Sequence, residues 1–143
     1  LQVLISSGAS GDDWVLVHDA ARCLITTELI EKLVLSCQHD VVGGLLALPL
    51  PDTLKSDQNG RVSSTHSRHD KWLAQTPQMF RLKLLHQALT HANDAVTDES
   101  SAVEALGLSP LLVEGAGFNF KVTYPGDVAM AEALLISRDS LKI

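Results

Sequence analysis

A chain of 143 residues, 45% of them hydrophobic, is large and apolar enough for one compact domain with a real core. Eleven Lys and Arg against 17 Asp and Glu leave a formal charge of -6, which argues against a protein that coats nucleic acid or an anionic membrane. Any anion it binds must be caught locally. Two cysteines, Cys23 and Cys37, form neither a disulfide framework nor a zinc pattern, so a reducing compartment, the cytoplasm, is expected. No stretch approaches the roughly 20 apolar residues of a membrane span, and the first residues lack the layout of a signal peptide. The chain opens on Leu1-Gln2-Val3 without a methionine, as though entered partway through an element.

In chain order, WVLVH (14–18) is nearly all apolar and reads as a strand buried on both faces of a parallel sheet. TTELIEKLVLSCQ (26–38) follows with Leu29, Ile30, Leu33 and Val34 at helical spacing, behind threonines suited to a cap. VVGGLLALPL (41–50) predicts a second buried strand, its Gly43-Gly44 pair marking a bulge or a close backbone contact. From 51 to 71 the chain turns polar, and Asn59-Gly60 sits where a tight turn wants it, so a projecting β-hairpin arm is expected. So little apolar surface needs a packing partner from outside the domain, and a second subunit is the simplest one.

Beyond the arm, FRLKLLHQALTHAN (80–93) has helical period, and TDESSAVEALG (97–107) reads as a shorter helix with Thr97 or Asp98 capping its start and Gly107 ending it. LSPLLVEG and FNFKVTY predict two late strands, and Pro125 opens a last helix through Met130, Ala133 and Leu134. The resulting order of strands and helices is an α/β layout with no internal repeat and no interdomain linker.

In such a sheet chemistry gathers beyond the carboxyl ends of strands, and VHDAAR (17–22) lies at one. Asp19 can hold magnesium or a ribose hydroxyl there, Ala20 and Ala21 let a ligand approach the backbone, and Arg22 can fork onto a phosphate. For the hexapeptide alone, Asp19 capping the turn with Arg22 as its surface partner is the plainer reading and ranks first. Thr76 in QTPQMF can donate to an anion, although Thr-Pro is also an ordinary extended or turn dipeptide. Thr97 and Asp98 put a hydroxyl and a carboxylate at a helix start, where an anion is welcome, yet capping alone explains both and ranks first. Lys121 interrupts an apolar run, either snorkelling from an edge or pointing its ammonium into a pocket. The six histidines show no metal-ligand frame; His66 and His69 lie on the arm without a supporting Cys or Glu set. No G-x-S-x-G elbow supports a serine hydrolase.

The order of these motifs carries more than any one of them. DWVLVHDAAR, PLPDTLK, R-x-x-x-W-x-x-Q-T-P-Q-x-F (68–80), VTDESSAVE and N-x-K-V-T-Y-P-x-D (119–127) together resemble the 2-C-methyl-D-erythritol 4-phosphate cytidylyltransferases of non-mevalonate isoprenoid synthesis, across nearly the whole chain. The resemblance implies the C-terminal part of a Rossmann-like nucleotidyltransferase sheet with a dimerisation arm at 51–71, all within one α/β domain. It implies transfer of a cytidylyl group from CTP to 2-C-methyl-D-erythritol 4-phosphate with release of pyrophosphate, assisted by magnesium, in a homodimer.

Residue by residue, the resemblance places Asp19 at the nucleotide and metal site and Arg22 beside the substrate. It puts Thr53 and Arg68 on the arm that reaches into the neighbouring subunit, and makes Arg68 and Lys121 the cations that position the substrate phosphate. Thr76 and Thr97 match positions lining the same pocket. The family's glycine-rich loop, of the form A-A-G-x-G-x-R, has no counterpart here, which implies that the chain is part of a longer protein. Cys23 stands where the family commonly has proline. Two other functions share parts of this pattern: transfer to another polyol phosphate such as a pentitol phosphate, and an inactive binding or dimerisation fragment.

Overall fold

The protein is described by a computed structural model covering residues 1–92 and 96–140. Its organising element is a ten-residue strand, β5 (Trp72–Arg81), at the centre of a mixed sheet. On one side β1 (Trp14–Val17) pairs antiparallel with it, Trp14 opposite Arg81 and Val17 opposite Gln78. On the other side lies β2 (Gly43–Pro49), also antiparallel to β5, and beyond it β6 (Leu111–Glu114) runs parallel to β2.

Successive residues of β5 point to opposite faces, and the core divides accordingly. Met79 packs with Leu46, Val113 and the face of α2 (Thr27–Cys37) formed by Leu29, Leu33 and Cys37. Phe80 packs on the other face with Leu85 and Ala88 of α3 (Leu82–Thr90) and Ala102 and Val103 of α4 (Glu99–Glu104). Helices on both faces of one sheet make an α/β layout, as expected from the sequence. A short α1 (Gln2–Ser6) precedes β1, and α5 (Pro125–Ser140) closes the described chain. Among the described residues no helix is long and apolar enough to cross a membrane.

Several local expectations match the structure. Thr26 caps α2 by accepting the Leu29 amide, Gly107 follows α4 with φ +79°, and α5 begins at Pro125. The Gly43-Gly44 pair is a close contact: a Cβ on Gly43 would collide with the Met79 carbonyl, and one on Gly44 would sit 2.5 Å from that of Leu111. The polar segment forms a separate two-stranded sheet, β3 (Leu54–Gln58) and β4 (Arg61–His66), joined at Asn59 and Gly60 with φ of 55° and 76°. Both central residues with positive φ suit the twist of a tight hairpin. The helix expected over 80–93 begins at Leu82 and ends at Thr90; residue 93 falls outside the described residues.

Three expectations are corrected. First, among the described residues β1 pairs with β5 alone, antiparallel, and Leu16 is 37% exposed, so the expected burial between parallel neighbours is not seen in them. A short apolar run carries no record of its partner's direction, and its partner here was not legible as a strand. Second, that partner, β5, spans the Thr-Pro segment that read only as an extended or turn dipeptide. A strand tolerates proline where its missing N–H is not required, and Pro77 lies at a bulge. Third, FNFKVTY forms no strand. Asn119 points inward and is fully buried, and the segment is held by single bonds such as Val122 N–H to the Ala21 carbonyl at 2.9 Å.

Candidate active site

The bulge in β5 is the origin of the site. Leu45 pairs with Gln78 and Ala47 with Ala74, so a single residue of β2 faces three of β5, residues 75 to 77. Extra residues leave the ladder and turn their side chains to a new direction. Gln75 and Thr76 thereby meet the loop that leaves the carboxyl end of β1, and a cavity of about 510 Å³ opens between them and the segment after β6.

Thr76 Oγ1 accepts the Asp19 amide at 2.9 Å and lies 3.0 Å from His18 Nδ1. His18 Nε2 lies 3.2 Å from the Arg22 carbonyl, an acceptor only, so Nε2 carries the proton and Nδ1 accepts the Thr76 hydroxyl when the ring is neutral. Lys121 Nζ reaches Asp19 Oδ2 at 2.8 Å. The hydrogen bond and charge of Lys121, aided by the Ala21 amide and the charge of Arg22, hold the Asp19 carboxyl below its ordinary value against a smaller opposing effect of burial.

Arg22 donates from Nη1 to the Asn119 carbonyl at 2.8 Å and from Nη2 to that of Ala74 at 3.2 Å, and burial lowers its pKa from the ordinary value. Its guanidinium therefore borders the cavity with two donors already engaged. On the opposite wall Gln78 clamps the start of α4: its Nε2 donates to Asp98 Oδ2 at 2.8 Å and its Oε1 accepts the Ser100 amide at 2.7 Å. Asp98 caps that helix in a box with Ser101, which leaves Thr97 at the cavity edge.

The fold thus brings Asp19, Arg22, Thr76, Thr97 and Lys121 around one cavity. Ala20 faces elsewhere, lining with Cys23, Val122 and α5 a separate apolar cavity of about 570 Å³. Thr53 and Arg68 are exposed at the base of the hairpin and do not line either cavity; the Arg68 guanidinium donates to the Pro51 carbonyl. His18, Gln75, Gln78 and Asn119 also build or support the site and were not assigned to it from sequence. Their signal was faint: two glutamines flanking Thr-Pro, and an asparagine between two phenylalanines.

Among the described residues, no three His, Cys, Asp or Glu side chains gather into a metal cage. The donor set still fits magnesium in its usual nucleotide mode, where one or two carboxylates share the ion with substrate phosphates and water. Three carboxylates line the cavity, Asp19, Asp98 and Glu99; Asp98 is engaged as the cap of α4, and Asp19 is half-buried beside Lys121.

Residues 2–137 match the family model described as IspD, 2-C-methyl-D-erythritol 4-phosphate cytidylyltransferase. The chain is 62% identical over 140 residues to a bifunctional IspD/IspF enzyme of Albidiferax ferrireducens, covering 98% of this chain and 34% of that protein. It is 54% identical over 138 residues to the 2-C-methyl-D-erythritol 4-phosphate cytidylyltransferase of Chromobacterium violaceum, covering 95% of this chain and 61% of that one.

A crystal structure of 4-diphosphocytidyl-2C-methyl-D-erythritol synthase superposes with a TM-score of 0.89 at 44% identity, over 94% of this chain and 62% of that one. The cytidylyltransferase of Thermus thermophilus superposes with a TM-score of 0.81 at 33% identity, over 93% and 66%. The chain spans between about a third and three fifths of the length of the two curated relatives. On sequence match, shared sheet and motif order alike, this chain belongs to the 2-C-methyl-D-erythritol 4-phosphate cytidylyltransferase family.

Proposed function

We propose that this chain carries the polyol-phosphate side of a cytidylyl transfer in isoprenoid precursor synthesis. The phosphate of 2-C-methyl-D-erythritol 4-phosphate attacks the α-phosphorus of CTP in line, the bond to the bridging oxygen breaks, and pyrophosphate leaves. The observation that carries the reading is the meeting of the Lys121 ammonium, the Asp19 carboxylate and the Thr76 hydroxyl at one cavity, in a chain of this family.

Two anions must be brought together, so the chain's work is charge neutralisation and positioning rather than covalent catalysis. Lys121 holds the attacking phosphate. Arg22, with its donors on main-chain carbonyls, contributes charge and braces the walls. Thr97 offers its hydroxyl to the bound polyol phosphate, and Thr76 does so by turning its proton away from His18 Nδ1. Asp19 would hold a magnesium ion, which when bound neutralises charge on the triphosphate. Thr53 and Arg68, which do not line their own cavity, reach that of a second copy through the hairpin arm, making the working unit a homodimer. Two unpaired cysteines support a cytoplasmic location.

The test is pyrophosphate release from CTP, magnesium and 2-C-methyl-D-erythritol 4-phosphate. It is run on the 143-residue chain and on the same chain joined behind the glycine-rich N-terminal segment of a relative. Turnover is expected in the joined protein, reduced about 100-fold or more by Lys121→Ala. Turnover only with a pentitol phosphate would reassign the substrate, and silence with every polyol phosphate would leave a binding or dimerisation module.

A further inference from the structure

Asn119 stands two residues before Lys121 and is completely buried. Its side chain and carbonyl tie three separate stretches together. Nδ2 donates to the Thr76 carbonyl at 2.9 Å and to Gln75 Oε1 at 3.4 Å, both within the β5 bulge. Its own carbonyl accepts Arg22 Nη1 from the loop after β1. Gln75 is fixed in turn by Nε2 to the Ala116 carbonyl at 3.0 Å. On the far side of Lys121, the Val122 amide donates to the Ala21 carbonyl at 2.9 Å. The backbone on both sides of Lys121 is therefore pinned to the two segments that carry Asp19 and Thr76.

Stability alone is a poor reason for this arrangement. A buried amide offsets its desolvation only when its bonds are made, and among the described residues Asn119 Oδ1 and Arg22 Nε are buried without partners. An apolar side chain of similar shape would remove the orphaned Oδ1, though it would also take the donor from the Thr76 carbonyl. What it would lose is the tether between the bulge and the segment carrying Lys121.

We propose that Asn119 is a positioning residue of this site: by bonding the β5 bulge and receiving Arg22, it holds the Lys121 ammonium over Asp19 and Thr76, where it grips the substrate phosphate. The inference deepens the cytidylyl-transfer reading and rests on it for the identity of the phosphate.

The test uses the 143-residue chain with Asn119→Leu, Asn119→Ala, Lys121→Met and the double variant Asn119→Leu/Lys121→Met. Two quantities are read: the ¹H–¹⁵N signal of the Lys121 ammonium, and the calorimetric affinity for 2-C-methyl-D-erythritol 4-phosphate. In Asn119→Leu, with the remaining amide spectrum intact, the ammonium signal should move to that of unpaired lysines and affinity should fall about tenfold. Added to Lys121→Met, the substitution should weaken binding no further, because residues acting as one unit are not additive. Asn119→Ala removes both donors without burying a charge or adding bulk, so it gives the same readout if the leucine variant does not fold. An unmoved Lys121 signal in a folded variant, or affinity losses that multiply, would overturn the proposal. If the wild-type chain binds no 2-C-methyl-D-erythritol 4-phosphate, the substrate reading falls and the Lys121 signal alone decides the positioning role.

Discussion

Cys37 and Cys23 carry the same thiol in opposite surroundings. Burial, and secondarily the charge of Asp40, pushes the Cys37 thiol up to about 11, which makes it a core hydrophobe rather than a nucleophile, whereas Cys23 is exposed. A thiol alkylating reagent should label Cys23 in the native protein and Cys37 only after unfolding. Peptide mass spectrometry finding both labelled at one rate would mean that α2 is loosely packed on the sheet. At this scale the sequence was informative where chemistry is local: Asp19, Thr76 and Lys121 could each be named as candidates. It was silent on Asn119, since nothing in F-N-F tells a buried hub from a solvated loop residue.

Elements were legible in proportion to how local their determinants are. The hairpin follows from Asn59 and Gly60, and α4 from the cap at Asp98. The start of α5 adds a further local device: Asp127 Oδ2 accepts the amides of Tyr124 and Thr123, each at 2.8 Å. These bonds, Tyr124 first, hold the Asp127 carboxyl below its ordinary 3.8. A carboxyl lowered on folding contributes stability that is fully present above its unfolded value and is lost as pH falls through the folded one. Asp127→Asn should therefore lower the urea midpoint at neutral pH, and the wild-type and variant curves should converge as the pH drops below 3.8. A gap that persists in strong acid would assign the effect to something other than ionisation. β5 was missed at this scale because its pattern is broken by Pro77 and by the bulge, both of which make sense only beside β2.

For the whole molecule, the hairpin is the outlying feature. Every residue of β4 is exposed, and a two-stranded sheet alone is marginal in water, so its order calls for a partner. The proposed homodimer should show by light scattering at micromolar concentration a mass near twice 15.4 kDa, and replacing residues 54–66 with a short glycine linker should halve it while keeping the circular dichroism of the four-stranded sheet. A monomeric mass for the intact chain would count against the shared site and against the roles of Thr53 and Arg68.

Periodicity and contacts a few residues apart specify the α/β class, the apolar helix faces such as that of α2, the hairpin turn, the caps, and the family through the order of its motifs. A chain states such features wherever it is read, because each needs only its own neighbours. Folding in three dimensions was needed to settle that β1 pairs antiparallel with β5, that 118–124 is not a strand, and that Lys121 meets Asp19 above a bulge braced by Asn119. Those features depend on partners far apart in the chain, whose pairing is chosen by competition among buried surfaces and hydrogen bonds and leaves no mark on either partner alone.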